Sequence, residues 1–137
     1  MTFGDLLPQI VVPPPGPRSR ELSAALRRLE APGVNTLSSE VSGAAGEPLQ
    51  ASILWEEARG ANVRDVDGNI YIDLTSGFGV AAVGHRHPRV VAAVREQAGR
   101  LLHGLGDVMA HPLRVELARK LAGLAPVDDP QVFFSIS

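Results

Sequence analysis

The dipeptide Asp67-Gly68 sits between two short segments rich in strand formers, Ala61–Asp65 and Ile70–Leu74, and it constrains the fold more than any other feature of the chain. A two-residue hairpin turn of type I′ requires positive φ at both central positions, which glycine accepts freely and aspartate more readily than most residues. The pattern therefore predicts an antiparallel hairpin, and the apolar run Ile53-Leu54-Trp55 just upstream extends it to a small meander. Alternation along Val63, Asp65 and Ile70, Ile72, Leu74 is imperfect, so one face is expected to be buried and the other partly wet.

Helical periodicity flanks this meander. Ser19 offers an N-cap for a helix bearing Leu22, Leu26 and Leu29 at i, i+4 and i+7, running to about Ala31 and ended by Pro32-Gly33. Before it, the proline-rich stretch Pro8–Pro17 reads as an extended arm. After it, Val34–Pro48 is polar and aperiodic, and reads as loop. Downstream, Pro88 suits the first position of a helix whose apolar face is Val90, Val91, Val94, Ala98, Leu101 and Leu102. Pro112 opens another, with Val115, Leu117, Ala118, Leu121 and Leu124 set against Arg114, Glu116, Arg119 and Lys120, ending near Ala125-Pro126. The closing run Val132–Ser137 reads as a buried strand. Such a strand needs a neighbour to pair with, so its position at the end of the sequence is expected to mark a severed chain.

Composition removes several classes of function. Thirteen basic and fifteen acidic residues give a net charge of −2, which is no footprint for nucleic acid or anionic lipid. No cysteine is present, so disulfides, thiolate nucleophiles and cysteine-bound zinc are excluded, and a cytoplasmic setting is expected. No run of eighteen apolar residues occurs, so no membrane span is expected. His85, His87, His103 and His111 lack metal-ligand spacing; His85 and His87 read instead as structural residues leading into the helix at Pro88. Gly77-Phe78-Gly79 begins a dinucleotide-binding glycine pattern that fails at Ala82. Glu56-Glu57 and Asp128-Asp129 are adjacent pairs rather than converging ones, and Ser135 and Ser137 lack the G-x-S-x-G setting of a hydrolase nucleophile. The local chemistry by itself leaves an α/β chain of open function.

A longer series of matches narrows this. Trp55 with Arg59-Gly60-Ala61, the strand pair through Asp65–Asn69 and Tyr71–Leu74, Ser76-Gly77-Phe78-Gly79-Val80, Gly84-His85-Arg86-His87-Pro88, and the helix with Val90, Val91, Val94 and Gln97 follow one another in order. Leu117–Leu121 and Phe133–Ser137 complete the series. The whole of residues 55–137 resembles the N-terminal part of the class III (omega) aminotransferases, fold type I pyridoxal-phosphate enzymes.

That resemblance implies an α/β fold of the aspartate aminotransferase type, divided into an N-terminal arm, helix and loop (1–50), the N-terminal part of a small domain with meander and two helices (51–125), and the first strand of a large cofactor-binding domain (126–137). It implies transfer of an amino group from an amine or ω-amino acid, of the 4-aminobutyrate or ornithine kind, to a 2-keto acid, in a homodimer. By the same resemblance Gly77 and Phe78 lie where the family faces its substrate, although Phe78 could equally be an apolar anchor for its own loop. Ser137 matches the serine that opens the phosphate turn of pyridoxal phosphate, which backbone N–H groups and a helix dipole would hold. Ser135-Ile136 departs from the Thr-Asn often found before it. The Schiff-base lysine and the aspartate that pairs with the pyridinium nitrogen lie further downstream in the family. The single lysine, Lys120, falls on the polar side of a helix where the family has no such lysine, so no catalytic residue is expected in this chain. Related readings are an aminomutase or decarboxylase of the same family, or a non-catalytic product that docks on a full-length subunit.

Overall fold

A computed structural model describes residues 2–31, 51–105 and 108–135. The chain forms two compact units, Met1–Val91 and Ala92–Ser137.

The first unit is built on the expected meander. Strands β1 (Trp55–Arg59), β2 (Asn62–Asp65) and β3 (Ile70–Ile72) pair antiparallel in that order, with Ala58 opposite Val63 and Val63 opposite Tyr71. A bulge between Trp55 and Glu57 lets Glu56 fall out of the ladder. The hairpin turn differs from the type I′ expectation. Gly68 alone takes positive φ (90°), the Gly68 N–H donates to the Asp65 carbonyl, and Asp65 N–H donates to Asn69 O. A three-residue loop with glycine in the left-handed position closes the strands, so Asp67 keeps an ordinary backbone and its carboxylate is free for another task.

That task is to start helix α1. The helix spans Pro17–Leu29, three residues earlier than a Ser19 cap would place it, and stops before Ala31. Its N-cap is Gly16, which has no side chain to offer; Asp67 supplies the missing acceptors, Oδ1 taking the Arg18 N–H at 2.8 Å and Oδ2 the Ser19 N–H at 2.9 Å. Ser19 is buried in the first turn and its hydroxyl also donates to Asp67. A Cβ on Gly16 would stand 2.3 Å from Asp67 Cγ, so the close approach demands glycine. Burial by itself would raise the Asp67 pKa; the bonds from Ser19 and Arg18 outweigh it and hold the carboxyl below its usual value.

The arm is extended as expected, and side chains of the sheet pin it. Asn62 Oδ1 accepts from the Gly4 and Leu6 N–H groups (3.0 and 2.7 Å), Asn69 Oδ1 accepts from Val11 and Val12, and Gln9 pairs with Ile70 on the outer edge of β3. Asp65 anchors the set: its carboxylate, fully buried, accepts from the Asp67 and Asn69 amides, Asn69 Nδ2 and the Tyr71 hydroxyl. Among the described residues the interior of this unit is therefore largely polar, with Asn62, Asp65 and Asn69 beside Val63 and Ile70. Asn62, Asp65 and Asn69 each have their partners, as such an interior requires, whereas Arg27 Nε and His87 Nδ1 are buried in the same unit without one among the described residues.

In the second unit, α2 (Pro88–Ala98) reaches its end and α3 (Pro112–Ala122) follows. Helix α2 was expected to continue to Leu102, but Gly99 breaks it and a final turn forms in which Arg100 N–H bonds to Gln97 O. Helix α3 starts where Pro112 predicts. His111 is its N-cap, Nδ1 accepting from Leu113 N–H at 3.0 Å, and Gly123 caps its end ahead of Ala125-Pro126. No residue of α2 or α3 is buried. The expected strand at Val132–Ser137 does not form over its described part, Val132–Ser135: an extended segment needs a ladder partner, and among the described residues no ladder includes it. Phe133 stands 91% exposed, while Phe134 carries the Arg114 guanidinium 5.5 Å from its ring centre.

Candidate functional site

Strand β3 gives way at Asp73 to a loop that returns to the sheet at His85. Asp73 N–H is held by the Ala61 carbonyl, and at the other end Gly60 and His85 exchange both backbone bonds at 2.9 Å. Between these anchors the backbone enters the left-handed region at Ser76, Gly77, Phe78 and Gly79 in succession, with φ of 52, 57, 63 and 85°. For a residue with a Cβ this conformation costs about 1–2 kcal/mol, and it normally occurs singly. Bonds from Gly79 N–H to Thr75 O and from Ala81 N–H to Ser76 O close the turn.

The Asp73 carboxylate organises it. Oδ1 accepts from the Thr75 amide and hydroxyl at 2.9 and 2.7 Å; Oδ2 accepts from the Gly77 amide at 2.6 Å and lies 2.7 Å from His85 Nε2. The side chain is 2% exposed. The bond with His85, followed by that with Thr75, holds the Asp73 carboxyl far below the usual carboxylate range. His85 meets Trp55 edge-on, with ring centres 6.1 Å apart and planes at 87°. Beneath the turn is a cavity of about 210 Å³ lined by Asp73, Ser76, Ala81 and His85 among others.

Gly77 therefore lies inside this organised turn. Phe78 is 98% exposed, so it is not an apolar anchor for the loop. Ser137 lies outside the described residues. The side chain of His85 serves the Asp73 loop; Asp73 stands in the sequence only as part of the Tyr71–Leu74 match, although Asp73-Leu74-Thr75 carries the two-residue spacing of an aspartate turn. Lys120 projects from α3 and bonds Glu116 one turn earlier at 2.8 Å. That bond lowers the Glu116 pKa. Among the described residues no three histidine or carboxylate side chains converge as metal ligands, and no helix is long and apolar enough to cross a membrane.

These features can be set beside known proteins. The family described as Aminotransferase class-III matches residues 43–137, and the chain belongs to it. The alanine/serine racemase of Pyrococcus horikoshii is 32% identical over 130 residues, which is 95% of this chain and 25% of that protein. The acetylornithine aminotransferase of Methanopyrus kandleri is 48% identical over 75 residues, 55% of this chain and 19% of that enzyme. Among solved structures, a thermostable omega transaminase engineered for synthesis of bulky amines matches with a TM-score of 0.65 and 26% identity, over 83% of this chain and 24% of its own. The α/β fold class read from the sequence, that of the fold type I aminotransferases, is the one these structures define. The chain spans a quarter or less of the length of these relatives.

Proposed function

We propose that this chain is the N-terminal portion of a pyridoxal-phosphate-dependent class III enzyme that moves an amino group from an amine or ω-amino acid of the 4-aminobutyrate or ornithine class to a 2-keto acid, and that the 137 residues alone are inactive. The observation that carries this reading is the family match over residues 43–137 in a chain whose single lysine is 71% exposed and paired to Glu116. The residues present do not fit the cofactor. Lys120 lies on an open helix face, and neither it nor any described residue offers a buried amine at a phosphate cradle. In this reading 1–50 is an arm, helix and loop, 51–125 begins the small domain, and 126–137 leads into the large domain, where Ser137 would open the phosphate turn. Gly77 and Phe78 face the substrate, and the exposure of Phe78 supports that role. The enzyme is a cytoplasmic homodimer without nucleic-acid or membrane partners, in keeping with its balanced charge.

The purified chain mixed with pyridoxal phosphate is expected to develop no Schiff-base absorbance that depends on Lys120 and to transfer no amino group; a band lost in Lys120→Ala, or turnover, overturns the reading. Sequencing past the codon for Ser137 is expected to reveal a continuing frame. A second reading rests on the racemase from Pyrococcus horikoshii, whose match extends through nearly the whole chain, whereas the acetylornithine aminotransferase matches 55% of it. Incubating the longer protein with one enantiomer of an amino acid separates the two: a racemase carries it to the mixture of both enantiomers without a keto acid, and a transaminase stops after one half-reaction per active site until the keto acid is added.

A further inference from the structure

Two of the four successive left-handed residues, Ser76 and Phe78, carry a Cβ, so the turn requires support from outside itself. Its own backbone bonds, Gly79 to Thr75 and Ala81 to Ser76, lie wholly within it. Among the described residues, Asp73 ties it to the sheet through the Gly77 amide, and His85, held by Gly60 and bonded to the same carboxylate oxygen, fixes where the loop comes back. One nearly buried carboxylate thus joins the start, the middle and the end of a thirteen-residue excursion, Asp73 to His85. Phe78, one residue beyond the Gly77 amide, gains its direction from this arrangement.

We infer that Asp73 and His85 are a positioning pair that keeps Ser76–Gly79 wound left-handed and thereby fixes the direction in which Phe78 leaves the surface. Resting on the reading of Phe78 as a substrate-facing residue, the pair sets the preference for the size of the amino substrate without touching it. Loss of the carboxylate frees the Gly77 amide, and the turn relaxes toward ordinary φ, carrying the phenyl ring away from its place.

The test has two arms. In the 137-residue chain, amide hydrogen exchange at Gly77 is expected to quicken about tenfold in Asp73→Ala and about threefold in His85→Ala, with recovery in His85→Gln, which keeps a donor; the Asn69 amide, bonded to Asp65, is the control and stays slow. Unchanged exchange at Gly77 in both alanine variants overturns the inference. If Asp73→Ala loosens Asn69 as well, His85→Ala decides, because it leaves the bonds to Thr75 and Gly77 in place: a rise confined to Gly77 and recovered in His85→Gln supports the pair, and a rise shared with Asn69 overturns it. In the longer enzyme, the ratio of kcat/KM for a small against a bulky amino donor is expected to shift about threefold in Asp73→Asn, in the same direction as in Phe78→Ala, and the double variant to shift no further. A ratio moved by Phe78→Ala but not by Asp73→Asn overturns the positioning role. A ratio moved by neither, with the exchange result in hand, overturns the substrate-facing reading of Phe78 and leaves the structural pair standing.

Discussion

The sheet with its arm and the helices that follow are held by different means. Around β2 and β3, the side-chain amides of Asn62 and Asn69 bond residues more than fifty positions away, and the interior is closed although it contains only two buried apolar side chains among the described residues. Helix α3 is capped by His111 and Gly123, and α2 and α3 both have amphipathic sequences, yet not one of their residues is buried. Local helix signals are thus sufficient to define an element and insufficient to give it a core, whereas a few polar side chains with full complements of partners can define both.

That contrast can be broken by substitution. The largest effect is expected for Asp65→Ala, which strands the Asn69 and Asp67 amides, Asn69 Nδ2 and the Tyr71 hydroxyl in a buried site; a loss of about 3 kcal/mol or more should appear in denaturant unfolding of the sheet, followed by amide exchange. A loss below about 1 kcal/mol would mean that the polar interior is not what holds this region. Next comes an alkaline transition. Burial, followed by the bond to Asp65 and its charge, pushes the Tyr71 pKa up to about 12 from its ordinary 10.0. A raised folded pKa stabilises the protein fully below pH 10 and ceases to do so as pH rises through about 12. Stability measured across that window should fall in the native chain and fall less in Tyr71→Phe.

A smaller and more local effect is expected for Asp67→Ala. It should raise exchange in the first turn of α1, residues 18–20, without loosening the Asp65 network, because the helix loses its borrowed cap. The same uncapping should follow acidification, since the folded pKa of Asp67 is depressed: its contribution is full above the ordinary carboxylate pKa and is lost as the pH falls through the lower folded value. The smallest is Leu117→Ala on α3. With nearly half its surface exposed it should cost less than about 0.5 kcal/mol in this chain, and a cost above 2 kcal/mol would place a core where the structure has none.

Legibility followed the range of the interactions. The meander and the three helices were readable because strand alternation, Asp-Gly and proline at N1 act within a few residues. Cap details were less so: Ser19 looked like a cap, but Pro17 started the helix earlier and the acceptor came from Asp67, 50 positions from Pro17. The bonds from Asn62 and Asn69 to the arm have no period and no motif. The Val132–Ser135 stretch has strand composition, yet pairing is a property of two segments and only one is described. At the candidate site, Gly77 and Phe78 were singled out through family resemblance alone, and the Asp73–His85 bond across the loop was invisible because nothing in a sequence reports which side chain folds back to meet a histidine twelve residues on.

The contact between Gly16 and the hairpin tip has an evolutionary corollary. Because α1 begins where a backbone without a side chain meets Asp67, the helix cannot slide along its own sequence: a shift by one residue would bring Pro15 or Pro17 into the carboxylate. Insertions and deletions between Leu29 and Trp55 leave that starting point in place, so this connection is where related chains can change length cheaply. Changes of length between Val12 and Gly16 would drag the helix off its acceptor, and should be rare among descendants of the same ancestor.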